Sequence, residues 1–303
     1  MSYRKTLLLI PHICIHNANA LSSPYTIGFP AMTAWLGAVH ALQRKCQSID
    51  FDIQFDAVAV VSHDYQLQTY KGDNDFVSSI VGTGNPLDKS GKRPAFIEEP
   101  RVHLDVSLLI ECNMQFDDAE EDRFYQEIQN LLHRMKFASG DVQRFKTPEF
   151  ITIEDGLEED VRRLTRKLMP GYVLIERRDL MMDAMESGQD ALDAMIDYLA
   201  IHHKSEPIDE TEVNNMSLKG SWQSYRKAAG WIVPIATGFQ GITPLGSAKN
   251  QRDEDTPHRF AESIVTLGEF KMPHKFDEVE DMLWRYHFDD SMQLYQCLQD
   301  FPD

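Results

Sequence analysis

An apolar run from Leu7 to Ile15, broken only by Pro11, His12 and Cys14, is followed by His16-Asn17-Ala18-Asn19-Ala20-Leu21-Ser22-Ser23-Pro24 and then by Gly28-Phe29-Pro30. That order predicts a buried strand, a loop of small polar residues and a helix. Met32, Trp35, Leu36, Val39 and Leu42 recur at the spacing of one buried helix face, so the helix runs from Met32 to Gln47. Arg44 and Lys45 close its last turn, where cations suit the helix dipole. A loop of this kind either offers backbone N–H groups to an anion or is a long structural turn.

The pattern continues as a small α+β domain. Phe51 to Gln66 reads as a second strand, Arg101 to Cys112 as a third and Phe150 to Ile153 as a fourth. In the third, His103, Asp105 and Ser107 alternate with Val102, Leu104, Val106 and Leu108 and so occupy one face. Asp117 to Phe137 reads as a second amphipathic helix with acids crowded at its start. The order strand-helix-strand-strand-helix-strand is that of the ferredoxin-like or RNA-recognition-type fold, expected over residues 1–155. Between the second and third strands, Gly-, Pro- and Lys-bearing residues at about 67–100 form too long an excursion for a simple turn. They are expected to project toward a partner.

Residues 156–303 are expected to form a mixed helical and strand region packed on that domain, helical in its overall weight. Glu158 to Met169 reads as a helix, Tyr172 to Ile175 as a strand, and Asp179 to His202 as two helices broken near Gly188. Glu206 to Ser221 is an acidic connection, and Trp231 to Ile235 leads into a loop from Gly238 to Leu245. Arg259 to Phe270 is extended, although Ser263-Ile264-Val265 also suits a helix, and Phe276 to Phe288 reads as a last amphipathic helix.

Charge narrows the function. With 48 acidic against 30 basic residues the formal charge is −18, which opposes broad attraction to nucleic acid or anionic membranes. RNA binding would therefore have to use local patches. Such patches exist: Arg162, Arg163, Arg166 and Lys167 on one helix, and Arg44, Lys45, Lys92, Arg93 and Arg101 in the first domain, unless these pair with the surplus acids. The apolar runs are too short for a spanning helix, and the N-terminal profile is not that of a signal peptide, so a cytoplasmic location is expected. The four cysteines are dispersed, as reduced thiols are. No zinc spacing, Walker loop, dinucleotide fingerprint or nucleophile elbow occurs, so no metal or cofactor is expected. His16, His40, His63 and His103 could each serve a metal-free ribonuclease as a general base, or be bonded in the core or stacked on a base.

Six stretches in one order carry a resemblance: NANALSSPYTIGFP, HALQRK, IEEPRVHLDVSLL, RRLTRKLMPG, GWIVPIATGFQGITPL and TPHRFAESIVTLGE. Together they resemble the second, Cas-five-type subunit of the Csy complex, the type I-F CRISPR-Cas surveillance assembly of bacteria. The resemblance implies a non-catalytic subunit that binds the five-prime handle of the CRISPR RNA. It further implies pairing with the large subunit to form the tail of the complex, contact with the backbone subunit, and an indirect relation to target DNA. On this reading His16, Asn17, Asn19, Ser22, Ser23, Arg44 and Arg101 contact RNA, while Arg162, Arg163, Arg166 and Lys167 grip its backbone. Phe29 or Trp231 would offer a stacking face, and Asn85, Lys89, Lys92 and Arg93 would lie on the projection. The alternative from the enzyme class is a metal-free CRISPR repeat endoribonuclease of the same fold using His16 or His103.

Overall fold

The computed structural model describes residues 4–83, 87, 89–92, 99–114, 116–154, 158–206, 221–251, 253 and 255–299. The leading strand β1 (Arg4–Asn19) outruns its apolar stretch, because register shifts between Ile10 and Ile13 and between Ile15 and Ala18 keep it paired past Pro11 and His16. A small hairpin, β2 (Leu21–Ser23) and β3 (Thr26–Ile27), leads into α1 (Met32–Gln47), whose buried face is the expected one. β4 (Ile53–Leu67) follows. The excursion opens with β5 (Thr69–Tyr70) paired to β6 (Ser79–Ile80), and β7 (Gly82–Thr83) pairs with the start of β8 (Glu99–Met114). Of the projection residues, Lys89 and Lys92 are exposed, while Asn85 and Arg93 lie outside the described residues.

A capping box starts α2 (Asp118–Leu132): the Asp117 carboxylate accepts from Glu120 N, and the Glu120 carboxylate accepts from Asp117 N. This helix is shorter than expected. It stops at Leu132, and Phe137, read as its end, belongs to β9 (Lys136–Phe137), paired with β10 (Gly140–Arg144). β11 (Glu149–Glu154), α3 (Glu158–Lys167) and β12 (Tyr172–Glu176) come next. The two helices broken near Gly188 are α4 (Arg178–Glu186) and α5 (Ala191–Leu199). β13 (His202–Glu206) pairs with β14 (Ser221–Tyr225), and residues 207–220 of the acidic connection are outside the described set.

Two expectations for the last stretch fail. β15 (Trp231–Gly241) continues through Gly238 instead of ending in a loop there, paired to β16 (Ala261–Lys271) and β18 (Leu294–Leu298). The helix expected from Phe276 to Phe288 is replaced by a 3-10 turn at Glu280–Met282 and by β17 (Arg285–Asp289), preceded by a second such turn at Pro273–Lys275. Phe276, Val279 and Met282 are buried at a spacing of three, which suits a tight turn as well as a helix.

The fold is mixed, and its strand pairings among the described residues are antiparallel. The main sheet runs β17-β18-β15-β16-β12-β4-β8-β1-β10-β9, with β11 also on β1 and β7 on β8. Helices α1 and α2 cover one face of its centre, where Trp35, Met32, Phe124 and Ile128 meet Ile10, Ile13, Val106 and Val60. Each large apolar side chain buried this way contributes about 1.5–3 kcal/mol.

Candidate nucleic-acid interface

On the face away from α1 and α2, three central strands change character along their length. In β1, Leu7 and Leu9 are buried, whereas His12, Cys14 and His16 are half-buried or exposed. In β8, Leu109 gives way to Ser107, Asp105 and His103; in β4, Ala57, Ala59 and Val61 give way to His63. The apolar half is roofed by Leu164 and Leu168 of α3 and its extension and by Phe276, Val279 and Met282. The polar half is left accessible, with His16, Asn17 and Arg144 exposed.

The histidines form two stacks on this accessible half. His12 lies on His63 with ring centroids 4.1 Å apart, and His16 lies on His103 at 4.2 Å. Their hydrogen bonds fix the rings. The Pro170 carbonyl only accepts, so His63 carries a proton on Nδ1, 2.5 Å away, and its Nε2 takes the Ser107 hydroxyl at 2.6 Å. Ser107 Oγ in turn accepts from His12 N at 3.0 Å, and His12 Nδ1 faces the Asp105 carboxylate at 3.1 and 3.2 Å. A Cβ on Gly171 would fall 2.8 Å from His63 Nδ1, so the chain passes His63 at a position without a side chain. In the second stack, Asn17 N donates to His103 Nδ1 at 3.2 Å, and Gln68 donates to Asn17 Oδ1 at 2.6 Å. Burial pulls His63 below the usual histidine range; burial, then the neighbouring His16, pulls His103 down.

The expected contact residues separate into groups. His16, Asn17 and Arg101 are on the accessible half, Arg101 with Glu99 at 2.5 Å. Asn19 closes its own turn through Leu21, and Ser22 and Ser23 bond Thr26, so these three shape the β2–β3 hairpin. Arg44 is exposed at the end of α1, in the layer covering the other face. On α3, Arg162 pairs with Glu158, Arg163 with Asp160 and Lys167 with Glu149, while Arg166 has no carboxylate partner among the described residues.

Reading the sequence for patches missed Arg144 and Lys146. Both are exposed beside the histidines, Arg144 donating to Cys14 Sγ at 3.2 Å, and neither forms an ion pair among the described residues. It also missed His12, although His12, Cys14 and His16 repeat at the same interval of two that marked His103, Asp105 and Ser107.

Next to His63 opens a cleft of about 460 Å³ with Trp231, Tyr172 and Phe270 on its wall. The Trp231 ring meets Tyr172 edge-on at 5.4 Å and Phe270 at 5.1 Å, and half of the residue is exposed. Phe29 is a core residue, 4% exposed and stacked on Trp35 at 5.6 Å.

The accessible half supplies hydrogen-bond donors and acceptors and two cations, Arg144 and Lys146, with no carboxylate partner among the described residues, which are means of binding RNA. Ser107 is 1% exposed, so its hydroxyl serves the scaffold. Among the described residues, no group of three or more His, Cys, Asp or Glu side chains converges as a metal site, and no helix is long and apolar enough to cross a membrane.

Comparison with known proteins bears on the same span. The family model described as "CRISPR-associated protein (Cas_Csy2)" matches residues 8–297. A protein of Pseudomonas aeruginosa (strain UCBPP-PA14) described as "CRISPR-associated protein Csy2" is 34% identical over 312 aligned residues, covering 96% of this chain and 94% of the relative. A match running from the first buried strand to the last shows that the chain belongs to the Csy2 family of CRISPR-associated proteins.

Proposed function

We propose that the protein is a non-catalytic subunit of a type I-F Csy effector complex that holds the five-prime handle of the CRISPR RNA against the accessible half of its sheet. It pairs with the large subunit to form the tail, touches the backbone subunit, and contributes to target DNA recognition only through the guide, in the bacterial cytoplasm. The observation that carries this reading is the change from apolar to polar on three adjacent strands, opposite the helix layer. The order β4-β8-β1-β10, with α1 linking β1 to β4 and α2 linking β8 toward β10, supports a ferredoxin-like, RNA-recognition-type core. In such cores the sheet face opposite the helices receives RNA.

His16, Asn17 and Arg101 contact the strand, joined by Arg144 and Lys146, with Asn19, Ser22 and Ser23 holding the adjoining hairpin. The α3 cations extend the path, and Lys89 and Lys92 reach RNA or a partner subunit. Reversing Arg144 and Lys146 together to Glu in the assembled complex tests the reading. Handle RNA binding should weaken at least tenfold and its salt dependence flatten by roughly 0.7 per lost phosphate contact on a single strand. Unchanged affinity and slope would place the RNA elsewhere.

A further inference from the structure

We infer that His16 seats a phosphate of the bound strand as an imidazolium, so that RNA binding at the histidine stacks takes up a proton on that ring. This rests on the RNA-binding reading above. It adds to that reading a ligand group, a residue in a defined protonation state and a dependence on pH.

The two stacks are built alike, each from an inner ring and a ring carried by β1. The inner rings are committed. His63 has both nitrogens engaged, by Pro170 O at 2.5 Å and Ser107 Oγ at 2.6 Å. Asn17 N donates to His103 Nδ1 at 3.2 Å, and because a backbone N–H only donates, a proton on that nitrogen would displace the bond. These bonds suit neutral rings, in keeping with the downward displacement of both. The β1 rings differ from each other. His12 Nδ1 faces the Asp105 carboxylate at 3.1 Å, so a charge on His12 already has its counter-ion. His16 is exposed and forms no hydrogen bond or ion pair among the described residues, yet its plane is set within 17° of that of His103. It is a ring fixed in place with both nitrogens unclaimed.

The charges around His16 specify an anion. On β10, Asp141 stands opposite His16 in register, but its carboxylate holds Lys136 of β9 at 2.7 Å. On β8, Asp105 is engaged by His12, and Arg101 by Glu99. Asp64 lies beside Asp105 on β4, one strand further from β1. Cys14, two residues back along the same face of β1, stands opposite Arg144, and beyond Arg144 Lys146 is bonded through its N to Pro11 O. An anion at His16 therefore meets Arg144 and Lys146 as further cations, while the carboxylate across from it is already paired. A phosphodiester is such an anion, and it keeps its charge throughout the range in which histidine titrates, so the proton has to come to the ring. A base stacked on the neutral ring would need no proton, and the pH dependence of binding separates the two.

In the test, handle RNA is titrated at pH 8 and at pH 6 into the complex assembled with the full-length chain. Wild-type binding should tighten about fivefold from pH 8 to pH 6, and calorimetry near pH 7 in two buffers of different ionisation heat should show net proton uptake. His16→Gln should bind no more tightly at pH 6 than at pH 8 and should lose the uptake. His16→Lys, a cation at both pH values, should bind equally at the two and at least as tightly as the wild type at pH 8. Wild-type binding that is equal at both pH values overturns the inference, and so does a dependence that survives in His16→Gln; its loss in His12→Gln would then assign the proton to the other stack. In those cases the RNA-binding reading still stands if reversing Arg144 and Lys146 weakens handle binding. If that reversal changes nothing, the RNA lies elsewhere and both fall.

Discussion

Ser107 Oγ lies 2.6 Å from His63 Nε2, and because it also accepts from His12 N at 3.0 Å, one buried oxygen ties β8 to both neighbouring strands. Ser107→Ala removes that oxygen and nothing larger. It leaves a backbone N–H and an imidazole nitrogen without their partner in a region where the serine is 1% exposed. Such a loss costs about 1–3 kcal/mol. Urea unfolding should show it as a lower midpoint at unchanged slope; a shift below about 0.5 kcal/mol would mean that water replaces the hydroxyl.

The first histidine stack also fixes the sign of a pH effect. His63 is held below its ordinary value of 6.5, chiefly by burial, and His103 is displaced the same way. The unfolded chain therefore takes up protons first as pH falls, so the folded state is favoured above about pH 6.5 and loses that advantage progressively below it. Thermal midpoints should decline from about pH 7.5 to about pH 5, and His63→Gln should make the decline shallower. An equally steep decline in the variant would assign the effect to other groups.

Trp284 makes a second test of how the late chain is joined to the early strands. Its Nε1 donates to Leu174 O at 2.9 Å, and its backbone exchanges two hydrogen bonds with Val58, at 2.9 and 3.0 Å. The side chain is completely buried. Trp284→Ala should cost about 3–5 kcal/mol, from the lost packing and the cavity left behind. Trp284→Phe should cost less, since it loses the donor but fills most of the space. Calorimetric or urea unfolding of both variants orders them; equal losses would mean that the indole hydrogen bond outweighs packing.

The parts of this fold that are legible in the sequence are those with one unambiguous period. The strand from Leu7, the face of α1 and the alternation in β8 each bury one side and could not do so in another conformation. The β9–β10 hairpin carries no such signal. Its turn residues Ala138 and Ser139 both have positive φ, 47° and 66°, without the Asn or Gly that normally announces such a turn, and Phe137 continues a helical spacing. The C-terminal strand β17 was hidden because Phe276, Val279 and Met282 imitate a helix face while Trp284 begins an extended segment. The histidine stacks are illegible for a different reason. His16 meets His103 only through the register shift between Ile15 and Ala18, and His12 meets His63 across the strand between them. A single-residue slip would turn these side chains to the other face. Arg144 and Lys146 are no denser in cations than many other stretches; their position beside the stacks, not their composition, gives them their proposed role.

The α3 cations and Arg44 give the last prediction, because they lie on opposite sides of the sheet. Leu164 and Leu168 seat α3 and its extension on the face that carries the histidines, whereas Arg44 ends the helix that covers the other face. Three of the four α3 cations hold carboxylates, but the Arg162 and Glu158 side chains are 70% and 82% exposed, and a pair of that kind contributes only about 0–1 kcal/mol. Such cations exchange a carboxylate for a phosphate at little cost, and Arg166 has no carboxylate partner among the described residues to give up. Arg166→Glu should therefore weaken handle binding and reduce the magnitude of the salt slope by roughly 0.7, while Arg44→Glu should leave both within error. Salt titrations of the two assembled variants against wild type measure the difference. An Arg44→Glu loss as large as that of Arg166→Glu would move the guide to the helix layer, away from His16 and Arg144.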